Sequence, residues 1–205
     1  MTQTIYLHGF ASSPQSRKAQ YFLERSPDLL VPDLNQDNFE TLTVSRQVEQ
    51  VKALLTEPSF IIGSSLGGLT TAILAEKYPE LVKKIVLLAP AFQFTKNWRS
   101  RLGPELLKRW QETGILPIYH YSYKKEMSLH YQFFRDAEKF DDYHFTNQIP
   151  TLILHGINDE AVHLKVSKDY AANKNWVKLM PLDSDHGLGD RLPELFEQTQ
   201  RFLSE

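Results

Sequence analysis

Residues Phe60–Tyr78 read Phe-Ile-Ile-Gly-Ser-Ser-Leu-Gly-Gly-Leu-Thr-Thr-Ala-Ile-Leu-Ala-Glu-Lys-Tyr. The apolar run Phe60–Ile62 predicts a strand buried on both faces, and Leu69–Tyr78 predicts a helix. Between them Gly63-Ser64-Ser65-Leu66-Gly67 has the G-x-S-x-G spacing. A chain turning this tightly from strand to helix crowds the residues two before and two after the central one. Glycine at both places relieves that crowding. Ser65 then projects its hydroxyl above the sheet, with the helix N-terminus beneath it to favour negative charge. Strand, turn and helix in this order are the context in which the spacing marks a serine nucleophile. Gly-rich turns also bind phosphates at such positions. This one lacks the Lys-Ser/Thr of a P-loop and the G-x-G-x-x-G of dinucleotide sites. Ser64 is a rival only if the central position is misread.

The rhythm continues outward in both directions. Thr4–Leu7, Leu29–Val31, Ile85–Leu88 and Thr151–Leu154 read as further strands, and Val177–Met180 as a weaker sixth. Amphipathic segments separate them at Ser16–Glu24, Thr43–Leu55, His163–Asn173 and Pro193–Leu203. Strand–helix alternation of this kind predicts an α/β protein with a parallel or mostly parallel sheet of about six strands and helices on both faces.

One stretch breaks the pattern. From Gln93 to Gln148 no strand is predicted, yet the stretch holds half of the aromatic residues. Leu106–Trp110 and Tyr131–Phe140 suit helices, while Gly103-Pro104, Gly114 and Pro117 punctuate them. The chain is therefore expected to be a single domain, 1–205, carrying a helical, aromatic-rich lid or cap insertion at 93–148. Trp98, Trp110, Tyr119, Tyr121, Tyr123, Tyr131, Phe133 and Phe134 are too many aromatics for an exposed connector and are expected to be buried. An apolar underside folded over Ser65 would form a pocket for an apolar acyl or alcohol group.

Composition narrows the function classes. The 205 residues are 41% hydrophobic and 23% charged, an ordinary globular balance. A net charge of −2 provides no basic field for nucleic acid or an anionic membrane. Nine Lys/Arg against seven Asp/Glu in 93–148 give no bias that demands a polyanionic substrate. The absence of cysteine removes disulfides, thiolate–metal sites and a thiol nucleophile. There is no basic, apolar leader and no run of about 18 apolar residues, so a cytoplasmic protein without a membrane span is expected.

A serine hydroxyl needs a base, and the base needs an orienting carboxylate. Of seven histidines, His186 stands just beyond the last candidate strand, in Asp183-Ser184-Asp185-His186-Gly187. His8 and His155 end strands, His120, His130 and His144 lie in the insertion, and His163 opens a helix. For the acid, Asp159 lies in the loop after a buried strand, where catalytic groups of open parallel sheets gather. Glu160, Asp183 and Asp185 are its rivals. Asp159 and His163 also invite a metal reading, but no H-E-x-x-H or comparable ligand pattern exists, so no metal is expected.

These residues together resemble the α/β-hydrolase superfamily, whose triad runs in the order Ser, acid, His, as do Ser65, Asp159 and His186. Tyr6-Leu7-His8-Gly9-Phe10-Ala11-Ser12-Ser13-Pro14 and Gly63–Gly68 also resemble the small bacterial YqiA/YcfP-like esterase group. His8-Gly9-Phe10 matches the superfamily's His-Gly-x turn. The resemblance thus implies an oxyanion hole from the Phe10 and Leu66 backbone N–H groups, with His8 fixing the turn. It also implies hydrolysis of a small-molecule carboxylic ester or thioester through an acyl-enzyme, with no cofactor. Amide or carbon–carbon bond cleavage and a non-catalytic binding role are the alternatives the superfamily offers.

Overall fold

The computed structural model of the protein describes residues 2–205. Seven strands form: β1 (Thr4–Leu7), β2 (Ser59–Ser64), β3 (Val82–Leu88), β4 (Ile115–His120), β5 (Lys125–His130), β6 (Thr151–Gly156) and β7 (Val177–Leu182). Seven helices accompany them: α1 (Arg17–Arg25), α2 (Val44–Leu54), α3 (Leu66–Lys77), α4 (Phe94–Thr113), α5 (Gln132–Ala137), α6 (Leu164–Ala171) and α7 (Leu192–Ser204). The main sheet is wholly parallel, in the order β1-β2-β3-β6-β7. Leu7 lies beside Gly63, Ser64 beside Leu88 and Leu88 beside Leu154. The loops carrying His8-Gly9-Phe10, Ser65 and Asp159 therefore leave the same edge of the sheet, as parallel strands require.

The period of two along each strand sorts the core into two layers. Ile5, Leu7, Ile61, Ile85, Leu87 and Ile153 point to one face, where α2, α3 and α6 pack. Tyr6, Ile62, Val86, Leu88, Leu152 and Leu154 point to the other, against Ala19 and Phe22 of α1 and Leu192 and Leu195 of α7. Helix α3 is buried all round from Leu66 to Ala75, which explains an apolar sequence without a polar stripe.

The sheet has five strands, not six. Leu29–Val31 makes only a bridge: Tyr6 N–H donates to Leu30 O at 2.8 Å and Leu30 N–H to Thr4 O at 3.0 Å. Pro32 follows at once and has no N–H to extend the ladder.

The stretch 93–148 also departs from expectation, because it is not all helical. β4 and β5 form an antiparallel hairpin there, with Pro117 opposite Ser128. No glycine or asparagine marks its turn; Lys124 takes the left-handed conformation instead, at φ 53°. Helix α4 breaks at Gly103, whose φ of 75° and ψ of 163° are not helical, with Pro104 next. Trp110, Phe133 and Phe134 are fully buried, as expected. Tyr119, Tyr121 and Tyr123 are not: they lie 50%, 73% and 40% exposed on the hairpin and its turn. A two-stranded hairpin covers only one of its faces, so the outward Ile115 and Tyr119 stay exposed, Tyr119 packing edge-to-face on Tyr121 with centroids at 5.5 Å. No helix among the described residues is long and apolar enough to cross a membrane.

Candidate active site

Ser65 joins β2 to α3 with φ 53° and ψ −116°, a conformation that costs a non-glycine residue about 1–3 kcal/mol. Its surroundings hold it there. Ser65 N–H donates to Leu88 O at 2.9 Å, and Ser65 O accepts from the N–H groups of Gly68, Leu69 and Ala91. A Cβ on Gly63 would collide with the Gly67 carbonyl and Thr71 Oγ1, and one on Gly67 with the Leu7 carbonyl. Both glycines of the motif are thus required by contact. The hydroxyl that results is aimed at His186, whose Nε2 lies 2.9 Å from Ser65 Oγ. Ser64 is buried at the end of β2.

His186 Nδ1 lies 2.7 Å from Asp159 Oδ2. The Asp159 carboxylate is buried and well supplied with donors. Oδ1 accepts from Ala161 N–H at 2.9 Å and Val162 N–H at 2.7 Å, and His155 Nε2 approaches Oδ2 at 3.2 Å. Burial pushes the Asp159 pKa up, but the hydrogen bonds from His155, His186 and Val162 outweigh it and hold the carboxyl well below its ordinary value. The rival acids are occupied elsewhere. Asp183 Oδ1 accepts from Asn158 Nδ2 at 2.9 Å, Asp185 Oδ1 accepts from Leu188 N–H at 3.1 Å, and Glu160 is exposed. Lys18 is drawn down to about 8 by burial, against the opposing attraction of Asp159 and Asp185.

His155 is the residue of this cluster that sequence reasoning passed over. Its Nε2 donates to Val162 O at 2.8 Å and its Nδ1 lies 2.8 Å from Ser167 Oγ, so the buried ring clamps the Asp159 loop. The available signal was its spacing, four residues before Asp159 at the end of a buried strand.

On the opposite side of Ser65 stands the His8-Gly9-Phe10 turn. His8 is buried; Nδ1 donates to Gly9 O at 3.0 Å and Nε2 accepts from Leu34 N–H at 3.0 Å, so the ring fixes the turn. Neither the Phe10 nor the Leu66 N–H has an acceptor among the described residues, and Leu66, the first residue of α3, stands too early in the helix for an intrahelical acceptor.

Residues 3–204 match the family described as "Uncharacterised protein family (UPF0227)". The chain belongs to this family. It is 31% identical over 153 residues to the mouse serine hydrolase BPHL, an alignment covering 69% of the chain. The UPF0227 chain spans about half, 51%, of that curated relative. Among solved structures it superposes on mouse alpha/beta hydrolase domain-containing protein 10 with a TM-score of 0.81 and 21% identity, covering 98% of this chain and 89% of that one. Est1E from Butyrivibrio proteoclasticus gives 0.72 and 20%, covering 100% and 89%. The fold is that of the α/β hydrolases.

In this UPF0227 chain a pocket of about 520 Å³ opens on Ser65 and His186. Its floor comes from the sheet edge: Phe10, Ala11, Ala91, Ala161 and Val162. Its other wall comes from 93–148: Phe94, Asn97, Trp98, Arg101 and Leu102 of α4, and Pro117, Ile118, Tyr119 and Tyr121 of the hairpin. The same stretch grips the turn beside Ser65. The Phe10 ring packs against Trp98 and Phe133, each with centroids at 5.2 Å, and Tyr121 N–H donates to Ala11 O at 2.9 Å.

Proposed function

We propose that this protein is a serine hydrolase that cleaves a carboxylic ester or thioester through an acyl-enzyme. The observation that carries the reading is the continuous chain of contacts from Ser65 Oγ to His186 Nε2 at 2.9 Å and from His186 Nδ1 to Asp159 Oδ2 at 2.7 Å. In this reading Ser65 Oγ attacks the carbonyl carbon while its proton passes to His186 Nε2. Asp159 accepts the Nδ1–H bond, fixing the tautomer and stabilising the imidazolium. The Phe10 and Leu66 N–H groups take the oxyanion, each worth about 2.7–4 kcal/mol to the transition state. Collapse of the tetrahedral species expels the alcohol or thiol, which leaves with the proton from His186. Water then enters, gives its proton to His186 and its oxygen to the acyl carbon, and Ser65 is released when that proton returns.

The whole chain acts as one domain, with 93–148 as a lid that builds the acyl pocket. Support comes from the nine pocket residues that this stretch contributes and from its grip on the Phe10 turn. A panel of 4-nitrophenyl esters and acyl thioesters of graded chain length tests the reading: turnover that vanishes in Ser65→Ala supports it, and hydrolysis indifferent to that change contradicts it.

A further inference from the structure

We propose that the substrate carries a carboxylate remote from the scissile bond and that Arg101 of α4 binds it. The inference rests on the hydrolase reading for its setting, but its support is separate. Before the break at Gly103, α4 presents two rows to the pocket. Phe94, Trp98 and Leu102, four residues apart, form an apolar row. Asn97 and Arg101, also four apart, run alongside it as a polar row on the same face. Asn97 is half-buried and Arg101 exposed to solvent, so the polar row leaves its head groups accessible to a ligand entering from outside.

Apart from His186, Arg101 is the one ionisable cation lining this pocket, and no carboxylate lines it. Three of the four other cations of α4 are answered, Lys96 by Asp142, Arg99 by Glu138 and Lys108 by Glu112, and the fourth, Arg109, does not line the pocket. Arg101 has no such carboxylate among the described residues. Glu105, four residues on, would be its helical partner, but the non-helical Gly103 interrupts that spacing. One planar guanidinium with one carboxamide beside it matches a single carboxylate, which it can hold in bidentate fashion. The near-balance of charge across 93–148 conceals this, because no other charged residue of the stretch lines the pocket.

The test compares matched substrates on the intact chain. Mono-4-nitrophenyl adipate is set against 4-nitrophenyl hexanoate to place the charge on the acyl side. 4-Carboxyphenyl butyrate against phenyl butyrate places it on the alcohol side, and a phosphate-ended acyl ester tests the other anion. In one of the two carboxylate series the charged ester is expected to have a kcat/KM about ten-fold higher at low salt, falling as NaCl is raised. Arg101→Gln should collapse the charged-to-neutral ratio towards one through KM, and Arg101→Lys should restore part of it. If Arg101 serves only to complement the end of the first α4 segment, the glutamine variant lowers the melting temperature and leaves the ratio alone. A preference for phosphate over carboxylate, or no preference in either series with Ser65 still labelled by a fluorophosphonate, overturns the inference and leaves the hydrolase reading standing. Absence of both labelling and hydrolysis overturns the hydrolase reading instead. Titrating the ester of whichever series shows the preference, monomethyl adipate for the acyl side or 4-carboxyphenyl butyrate for the alcohol side, into Ser65→Ala, followed by tryptophan fluorescence, then decides the anion site alone. Binding about ten-fold weaker in Ser65→Ala/Arg101→Gln supports the inference, and equal or undetectable binding in both overturns it.

Discussion

At the scale of single residues, the division of labour among the acids is the most exposed part of the account. Asp159 alone touches His186, so Asp159→Asn is expected to lower kcat by about 10⁴, by analogy with the same change in a serine protease. Asp183→Asn and Asp185→Asn should cost less than ten-fold, since their carboxylates hold loop groups; steady-state kinetics of the three variants checks the order. The depressed pKa of Asp159 fixes two pH dependences. For activity, the acid stays ionised throughout the working range, so Asp159 adds no protonation of its own to the acid limb of kcat/KM, whose slope should not exceed one. For stability, a carboxyl with a folded pKa below its unfolded value of about 3.9 contributes fully above that value and loses the contribution as pH falls through the folded pKa. The melting-temperature gap between wild type and Asp159→Asn should therefore be wider at pH 6 than at pH 3. Ser65, Asp159 and His186 were legible because each sits at a position defined by a strand end. His155 was not, because its role depends on a loop folding back on its own strand.

At the scale of elements, packing separates two kinds of aromatic residue within 93–148. Trp110 is fully buried, with Nε1 donating to Leu129 O at 2.9 Å, so Trp110→Ala should destabilise by about 3–5 kcal/mol and is best measured by urea unfolding. Trp98 is half-buried and lines the pocket, so Trp98→Ala should alter the ratio of short- to long-chain ester turnover at a smaller cost in stability. An unchanged ratio would remove this stretch from substrate selection. The strand and helix pattern of the main sheet was readable because buried parallel strands are continuous apolar runs. The β4–β5 hairpin was not: Pro117 interrupts its first strand and its turn, Tyr121–Lys124, lacks the residues that signal one. The edge run Leu29–Val31 erred the other way, since apolar character alone does not make a strand when proline follows.

At the scale of the whole molecule, five parallel strands deliver the His8-Gly9-Phe10 turn, Ser65, Asp159 and His186 to one edge, and 93–148 closes the space above them. Fold class was legible from the alternation of elements and the one glycine-flanked serine. The pocket was not, because its wall is assembled from α4 and a hairpin whose mutual placement depends on contacts with Phe10 and Ala11, far apart in sequence. The central claim is that Ser65 is a nucleophile activated by its neighbours, and labelling by a fluorophosphonate probe measures this most directly. Wild type should form one covalent adduct, mapped by mass spectrometry to Ser65, with His186→Ala labelling far more slowly and Ser65→Ala not at all. An adduct at Ser64, or an intact wild-type protein that resists the probe, would contradict the account.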